Sequence, residues 1–292
     1  MLKNNQNLKY LLSFSISHKI TYQRYLKLKK YFKNDLEKAW YSAKTDWLKA
    51  GITEKTAEEL SNLYKIINPQ QELLKFKQAK IKYVCLEDIN YPKLLKQIPN
   101  PPWIIYYLGS LACLNNPCLA VVGTRTPSDY GIKQVKDLTA EIIKNKITIV
   151  SGLARGIDTL AHLVCVQNNH PTVAVLGTDL ISYNKKEMIR QIIKAKGLVV
   201  SQFPLYTPAS KYTFPERNRL ISGLSKGTLI IEAKKRSGAL ITAYQALDQN
   251  REVMAIPGNL TSDNSHGTNR LIQLGAKLIL NSQDVIDCLN FN

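Results

Sequence analysis

The 292-residue sequence predicts an α/β protein with a doubly wound, mostly parallel sheet preceded by a small N-terminal helical domain. Two observations predict the sheet. Short runs rich in Val and Ile recur from Cys118 onward, and most are followed by a turn and a segment long enough for a helix. Within these runs the apolar residues are consecutive rather than alternating, which is typical of parallel strands buried on both faces.

The helical domain is expected over residues 1–85, where Lys, Tyr, Leu and Glu recur at helical spacing and glycine is rare. Thr53 is expected to cap one of these helices, because Thr is among the preferred N-cap residues. The apolar or small residues that can share a face of this helix are Ile52, Ala57, Leu60 and Leu63.

A proline-rich segment follows the helical region. Tyr91-Pro92 and Asn100-Pro101-Pro102-Trp103 disfavour helix, because the residue before a proline is pushed toward extended backbone. We therefore expect residues 86–110 to be a linker and lead-in, and residues 111–292 to form the sheet domain.

The predicted strands of the sheet domain are six apolar runs. Ordinary turns and helix-length segments separate them, so the chain is expected to build βαβ units. The runs are CLAVVG at 118–123, ITIVS at 147–151, TVAVLG at 172–177, LVVS at 198–201, TLIIE at 228–232 and EVMAIPG at 252–258.

The chain is strongly basic, with 40 Lys and Arg against 22 Asp and Glu and a formal net charge of +18. Such an excess indicates a polyanionic partner, either nucleic acid or an acidic membrane surface. The alternative is compositional, because AT-rich genomes enrich Lys and Asn and this chain is rich in both.

Neither targeting nor metal chemistry is evident. No apolar run approaches the ~20 residues that span a bilayer, and the N-terminus lacks a credible cleavage site, so we expect a cytoplasmic protein without membrane insertion. The five cysteines are scattered, which suits neither a disulfide framework nor a zinc site. We expect no metal and no cofactor.

Two glycine-bracketed turns follow the first two predicted strands, and each carries an arginine. In a parallel sheet, ligands bind at the carboxyl ends of the strands, where glycine admits a close approach and Arg grips phosphate. The alternative is that tight turns need glycine anyway and that the arginines pair with Asp129 or Asp158. The DNA-binding candidates here are Gly123, Thr124, Arg125, Ser128, Gly152, Arg155 and Gly156.

A third candidate element begins at Phe214, where Pro215 and Glu216 suit a helix start. An exposed aromatic beside arginines is typical of base stacking with backbone binding. Alternatively, Phe214 fills the core and the arginines pair with Glu216 or Glu232. The candidates of this element are Phe214, Arg217, Asn218 and Arg219.

Other chemistry fits the sequence poorly. The first turn is not G-x-G-x-x-G, Ser151 rather than an acid ends the second predicted strand, and no P-loop motif is present. Asp158 and His162 can share a helix face, either as an acid–base or metal pair or with a structural hydrogen bond. We expect no catalytic residues and no enzyme activity. Five further basic residues extend a DNA track only if they share the loop edge: Lys185, Lys186, Lys234, Lys235 and Arg236.

Taken in order, these loops resemble the DprA (Smf) family of bacterial DNA-processing proteins. Residues 1–100 match only loosely, whereas residues 105–280 carry the resemblance. The matching motifs are Val122-Gly123-Thr124-Arg125, Pro127-Ser128, Tyr130-Gly131, Ser151-Gly152-Leu153-Ala154-Arg155-Gly156-Ile157-Asp158, Ala161-His162, Ala174-Val175-Leu176-Gly177, Phe214-Pro215, Arg217-Asn218-Arg219-Leu220-Ile221-Ser222-Gly223, Glu232-Ala233, Ser237-Gly238-Ala239-Leu240-Ile241-Thr242-Ala243, Ala255-Ile256-Pro257-Gly258, Gly267-Thr268-Asn269-Arg270-Leu271-Ile272 and Gly275-Ala276.

The resemblance implies an extended Rossmann-like fold that binds single-stranded DNA without sequence preference and dimerises. It implies a role in handing incoming DNA to the RecA recombinase during natural transformation of competent cells, with an N-terminal domain similar to a sterile alpha motif. The family's DNA pocket maps onto Arg125 and Arg155. Two departures stand out: the loop Asp179–Asn184 lacks a family glycine, and the winged-helix domain that ends many relatives is expected to be absent.

Two other functions remain open at this point. The chain is alternatively a nucleotide-acting phosphoribohydrolase, although its Ser225-Lys226-Gly227-Thr228 stretch before Glu232 lacks the paired glycines of those enzymes. A second alternative is an adaptor that does not bind DNA. Self-association is expected through apolar residues of the C-terminal part, which otherwise close the core: Leu271, Ile272, Leu274, Leu278 and Leu280.

Overall fold

The computed structural model describes residues 5–17, 20–210 and 212–290. Six helices form the first part of the chain, as the helical spacing predicts. Thr53 occupies the N-cap position of the fifth helix, but its hydroxyl donates to the Thr56 hydroxyl rather than capping a backbone N–H. The helices are α1 (Asn5–Ile16), α2 (Tyr22–Tyr31), α3 (Leu36–Tyr41), α4 (Lys44–Lys49), α5 (Glu54–Ile66) and α6 (Pro69–Gln78).

A nine-stranded sheet forms the centre of the fold, with the order β1-β2-β6-β5-β4-β3-β7-β8-β9. Strands β3 to β9 run parallel, whereas β1 and β2 are antiparallel to their neighbours. The α/β class and all six predicted strands are confirmed. The strands are β1 (Lys82–Cys85), β2 (Ile104–Gly109), β3 (Cys118–Val122), β4 (Thr148–Ser151), β5 (Thr172–Val175), β6 (Leu198–Ser201), β7 (Gly227–Ile230), β8 (Glu252–Ala255) and β9 (Lys277–Leu278).

Helices cover both faces of the sheet, so β3 to β7 are fully buried. One face packs against the core residues of α8, α9 and α14, and the other against those of α11, α12 and α13. These helices are α7 (Lys93–Lys96), α8 (Asp129–Ile143), α9 (Ile157–Gln167), α10 (Lys186–Lys194), α11 (Thr213–Gly223), α12 (Gly238–Asp248), α13 (His266–Gln273) and α14 (Ser282–Asn290).

Residues 86–110, expected to be a linker and lead-in, contain a strand of the sheet. Strand β2 lies within that range and pairs with both β1 and β6, and α7 lies between β1 and β2. The prolines are confined to the turns between these elements. They therefore do not interrupt β2, although the sequence around it resembles a linker. Tyr106 of β2 also packs on the helical part: its hydroxyl donates to the Ser15 hydroxyl at 2.5 Å.

Three further features of the described residues concern cysteines, membrane-spanning helices and metal-binding clusters. Cys85, Cys113, Cys118 and Cys165 are buried and free, and burial raises the pKa of each to about 12. Within the three described ranges, no helix combines the length and the apolarity that crossing a bilayer requires. The same ranges contain no cluster of three His, Cys, Asp or Glu residues that could hold a metal.

Candidate nucleic-acid interface

A pocket of about 580 Å³ lies at the carboxyl edge of the sheet, where β3, β4 and β7 end. The loop after β3 forms one wall, and the first turns of α11 and α12 form the other. Helix N-termini carry free backbone N–H groups and positive potential, so this edge suits an anion. The pocket contains Gly123, Thr124, Arg125, Phe214, Arg217 and Asn218 among the predicted residues.

The loop after β3 is fixed from beneath and leaves Arg125 exposed. The Thr124 N–H donates to the Glu232 carbonyl at 2.7 Å, and the Thr124 hydroxyl accepts from the Thr126 N–H. Thr124 is therefore buried and braces the loop rather than facing a ligand directly. Arg125 lies over the ring of Phe214, with its guanidinium carbon 5.7 Å from the ring centroid.

Ser128 starts helix α8 and is held by a buried carboxylate. Its hydroxyl accepts from the Gly131 N–H, as an N-cap does, and donates to Glu232 Oε1 at 2.5 Å. The Ser128 N–H donates to Glu232 Oε2. These contacts show that Ser128 shapes the loop, and its assignment to DNA binding stays a prediction.

The loop after β4 packs directly against the loop after β3. The Ile157 N–H donates to the Thr124 carbonyl at 3.2 Å, and Gly156 lies against the backbone of Thr124 and Arg125. Gly156 has a φ of +89°, which glycine adopts without the steric cost of a side chain. Arg155, beside it, is exposed. The two arginine turns therefore touch, as the sequence predicts for adjacent parallel strands.

Gly156→Ala should destabilise the protein and disturb the Arg125 turn. The added Cβ would meet the Thr124 carbonyl in a left-handed backbone, which costs about 1–3 kcal/mol. Urea denaturation measures the change. Gly238→Ala is the matched control, because its Cβ would meet nothing within 4 Å. Equal stability of the two variants would contradict the role given to Gly156.

Arg217 lies at the base of the pocket and is almost wholly buried. It is 5% exposed, and its Nη1 donates to the carbonyls of Gly152 and, at 3.2 Å, of Val175. Burial lowers the pKa of Arg217, and the nearby Asp158 opposes that shift. Gly152 has no room for a side chain, because a Cβ would collide with this guanidinium. Arg217 is thus a buried brace between strand ends, and its assignment to DNA binding stays a prediction.

Phe214 links the exposed and buried arginines. Its ring is half-buried against Gly177, and the guanidinium carbons of Arg125 and Arg217 lie 5.7 and 5.9 Å from its centroid. Stacking of a cation on a ring holds both partners in place. Phe214 therefore neither fills the core completely nor stands free, and it positions Arg125 at the rim of the pocket.

Asn218 and Arg219 take different directions from the same helix. The Asn218 side chain donates to the Gly238 carbonyl at 3.3 Å and lines the pocket. Arg219 instead donates to the carbonyls of Pro99 and Asn100, at 2.8 and 2.5 Å, and pairs with Glu216 at 3.3 Å. It anchors the proline-rich turn before β2, and its assignment to DNA binding stays a prediction.

The Asp158 and His162 side chains serve the fold. Asp158 accepts from the N–H groups of Gly152 and Ala154, and burial raises its pKa against the opposing effect of Arg217. His162 shares a hydrogen bond of 2.9 Å with the Thr172 hydroxyl, and burial lowers its pKa to about 3. This agrees with the structural alternative and leaves His162 neutral near pH 7.

The altered loop at Asp179–Asn184 turns its acid inward. Asp179 is 1% exposed, and its carboxylate accepts from the Ile181 N–H, the Ser182 N–H and the Ser182 hydroxyl. A negative charge held in this way does not face the Arg125 edge. The departure from the family pattern therefore leaves the electrostatics of the pocket positive.

Two further basic residues line the pocket, and the sequence predicts that they contact DNA only if they share the loop edge. Lys234 and Arg236, in the loop after β7, are exposed and line the same pocket as Arg125. Lys185, another of the five further basic residues, donates from its Nζ to the Leu153 carbonyl and the Thr159 hydroxyl at 2.9 and 2.8 Å. Lys234 and Arg236 follow a parallel strand, and this position is the signal in the sequence that places them at the carboxyl edge of the sheet.

Comparison with known proteins agrees with this architecture. The model of the family "DNA recombination-mediator protein A" matches residues 82–290. The DNA processing protein DprA of Streptococcus pneumoniae is 42% identical over 198 residues, which cover 67% of this chain and 70% of that protein. Protein Smf of Synechocystis is 38% identical over 82% of this chain, and the matched part spans 62% of its own length, less than two thirds.

Solved structures match as well. The X-ray structure of DNA processing protein A from Streptococcus pneumoniae superposes with a TM-score of 0.81 at 35% identity, covering 96% of this chain and 97% of that one. DNA processing protein A from Helicobacter pylori, described for its single-stranded DNA binding mode, gives a TM-score of 0.63 at 30% identity over 72% of this chain and 96% of that one. With a Rossmann-like sheet and a family match over residues 82–290, the chain belongs to the DprA (Smf) family of DNA-processing proteins.

Proposed function

We propose that this protein binds single-stranded DNA without sequence preference at its carboxyl edge. We further propose that it helps to load the RecA recombinase during DNA uptake and natural transformation. The observation that carries the DNA-binding proposal is Arg125, an exposed guanidinium held over Phe214 at the rim of a pocket. In the part of the chain that the structure describes, neither Arg125 nor Arg155 has a carboxylate partner.

Several groups of the pocket suit a phosphate backbone rather than a particular base. Arg125, Lys234 and Arg236 are exposed cations, and the N-terminal end of the α12 dipole adds positive potential. Phe214 offers a partly exposed ring, and any base has a face that can stack. This combination favours binding that tolerates any sequence. The single-stranded DNA binding described for the Helicobacter pylori relative supports the same ligand.

Single-stranded binding should weaken strongly with salt. Each phosphate that a Lys or Arg neutralises releases counterions, so the log–log slope should be about −0.7 per contact on a single strand. Anisotropy titrations of labelled single-stranded and duplex oligonucleotides at several salt concentrations measure this slope. An affinity indifferent to salt, or equal for duplex, would contradict the proposal.

Recombinase loading can be tested on the same complex. The description of the family as a recombination mediator supports it. Adding RecA to the oligonucleotide coated with single-strand-binding protein, with and without this chain, should show faster RecA filament formation in its presence. Unchanged nucleation would remove the loading role and leave DNA binding standing.

The phosphoribohydrolase alternative loses support from geometry. The stretch of this chain that would match the enzymes' loop, Ser225-Lys226-Gly227-Thr228, lies at the amino end of β7, on the edge of the sheet opposite to the pocket. Glu232 is 2% exposed and engaged by Ser128. We therefore propose a protein that is not an enzyme, and base release from a nucleotide panel would be the result against this view.

We also propose a homodimer formed by the C-terminal part of the sheet domain. Leu271 is 3% exposed and belongs to the core, so it does not serve this surface. Leu274, Leu278 and Leu280 are 55%, 45% and 72% exposed, and β9 is an edge strand of the sheet. An apolar edge of this kind is a template for pairing with a second copy.

Replacing Leu278 and Leu280 together with Glu should convert the dimer to a monomer, because charges would face each other across a two-fold interface. Light scattering measures the mass. Leu74→Glu, at a leucine that is 45% exposed on α6, is the matched control and should leave the dimer intact. A wild-type protein that scatters as a monomer would contradict the dimer.

A further inference from the structure

A second depression, the amino-edge groove, lies at the end of the sheet opposite to the Arg125 pocket. Its volume is about 1070 Å³, and it is bordered by Gly109 at the end of β2, Pro117 before β3 and Lys226 before β7. Strands β3 and β7 are parallel, and their carboxyl ends carry the pocket. The groove therefore opens at their amino ends, where DNA held in the pocket leaves it free.

Apolar side chains line part of the groove, beside polar ones. Ile89 is 87% exposed at its rim, and Leu94, Leu111 and Leu114 are partly buried along it. An exposed isoleucine beside other aliphatic side chains costs solvation free energy unless something covers it. The groove thus offers a seat for apolar side chains of a partner.

The charged groups of the groove are all basic. Lys82, Lys93 and Lys226 line it, and none of its lining residues is Asp or Glu. The Lys82 ammonium lies 6.0 Å from the Tyr107 ring centroid. Considering the described residues alone, Lys82 and Lys93 form no ion pair. Lys82 and Lys93 therefore give the groove positive potential, which complements an acidic partner.

The groove is held in shape by hydrogen bonds behind its walls. The Tyr91 hydroxyl donates to the Pro102 carbonyl at 2.6 Å, and Arg251 donates to the Leu94 carbonyl at 3.0 Å. These bonds fix the turn after β1 and helix α7 against the sheet. A preformed groove spares a ligand much of the entropy cost of ordering its site.

We propose that the amino-edge groove binds an acidic peptide segment of a partner protein, with apolar side chains of that segment seated against Ile89 and the neighbouring leucines. Its volume slightly exceeds the usual range for small ligands, about 300–1,000 Å³, which favours a stretch of polypeptide. Nucleic acid is disfavoured, because stacking needs exposed aromatic rings. The only rings here are the half-buried Tyr107 and the buried Tyr91.

The test uses the full chain and a short labelled peptide that alternates Asp or Glu with Phe or Leu. Anisotropy should show saturable binding that weakens by about tenfold in Lys93→Glu and in Ile89→Asp, both changes at exposed positions. Lys136→Glu on α8 is the matched charge control and should bind the peptide as wild type does. A peptide with Ser in place of its apolar residues should bind at least about tenfold more weakly.

Three results would each overturn this inference. They are no binding of the peptide by wild type, equal binding by Lys93→Glu and Ile89→Asp, and displacement of the peptide from the groove by an oligonucleotide in the Arg125→Glu variant. The last result would assign the groove to nucleic acid. Arg125→Glu should still bind the peptide as wild type does. A failure of the DNA-binding proposal can therefore be distinguished from a failure of the peptide-binding proposal.

Discussion

Arg125→Glu and Arg155→Glu should each lower the affinity for a single-stranded oligonucleotide by more than about tenfold. Both arginines are exposed in touching turns at the carboxyl edge, and Arg125 stands at the rim of the pocket. A charge-assisted, bidentate contact to phosphate contributes about 1.5–3 kcal/mol. The substitution removes that contact and adds repulsion between Glu and the backbone of the DNA.

Folding should barely change in these variants. Across the described residues, neither guanidinium forms an ion pair, and the Arg125 contact with Phe214 contributes only about 0.5–1 kcal/mol when exposed. Anisotropy with labelled oligonucleotide gives the affinity, and urea denaturation gives the free energy of unfolding. Lys194→Glu, at the far end of α10, makes the same charge change away from the pocket and is the control.

The outcomes separate binding from bracing. Variants that unfold like wild type and still bind as tightly would show that the pocket is assigned wrongly. A loss of stability proportional to the loss of binding would mean that the arginines brace the turns instead. Only weaker binding with unchanged stability agrees with direct phosphate contact.

The parallel core of the fold is predictable because its signal is local. Runs such as Leu119–Val122 and Leu198–Val200 are short, rich in Val and apolar on consecutive residues, which is typical of strands buried on both faces. Strand β2 was not predicted, because its sequence, IIYYLG, follows two prolines. The strand also pairs antiparallel with β6, which is far away in the sequence. Pairing between distant strands has no signature in either strand alone.

The site was predictable where residue position alone sets exposure. Arg125 and Arg155 follow strand ends, where ligands of parallel sheets bind, and both are exposed. On α11 the sequence could not separate Arg217 from Arg219, since residues two apart on a helix point in different directions. Which of them is buried depends on the carbonyls of Gly152 and Pro99, which belong to distant parts of the chain.

Arg217→Met should lower the free energy of unfolding by about 1–3 kcal/mol for each buried carbonyl that loses its donor. Its guanidinium donates to the Gly152 and Val175 carbonyls and lies near the buried Asp158. Methionine matches much of the side-chain volume but leaves both carbonyls without this donor and Asp158 without its positive neighbour. Urea denaturation measures the loss, and Arg219→Met, at a more exposed arginine of the same helix, should cost less.

The pH dependence of this loss identifies its cause. Burial already raises the pKa of Asp158 and Arg217 opposes that shift, so the Arg217→Met variant should raise the pKa further. A carboxyl whose pKa is higher in the folded state than in the unfolded one destabilises the protein increasingly as pH rises between the two values. The deficit of Arg217→Met should therefore be smaller at acidic than at neutral pH, and adding Asp158→Asn should recover part of it. A deficit independent of pH and unaffected by Asp158→Asn would locate the loss in the two carbonyls alone.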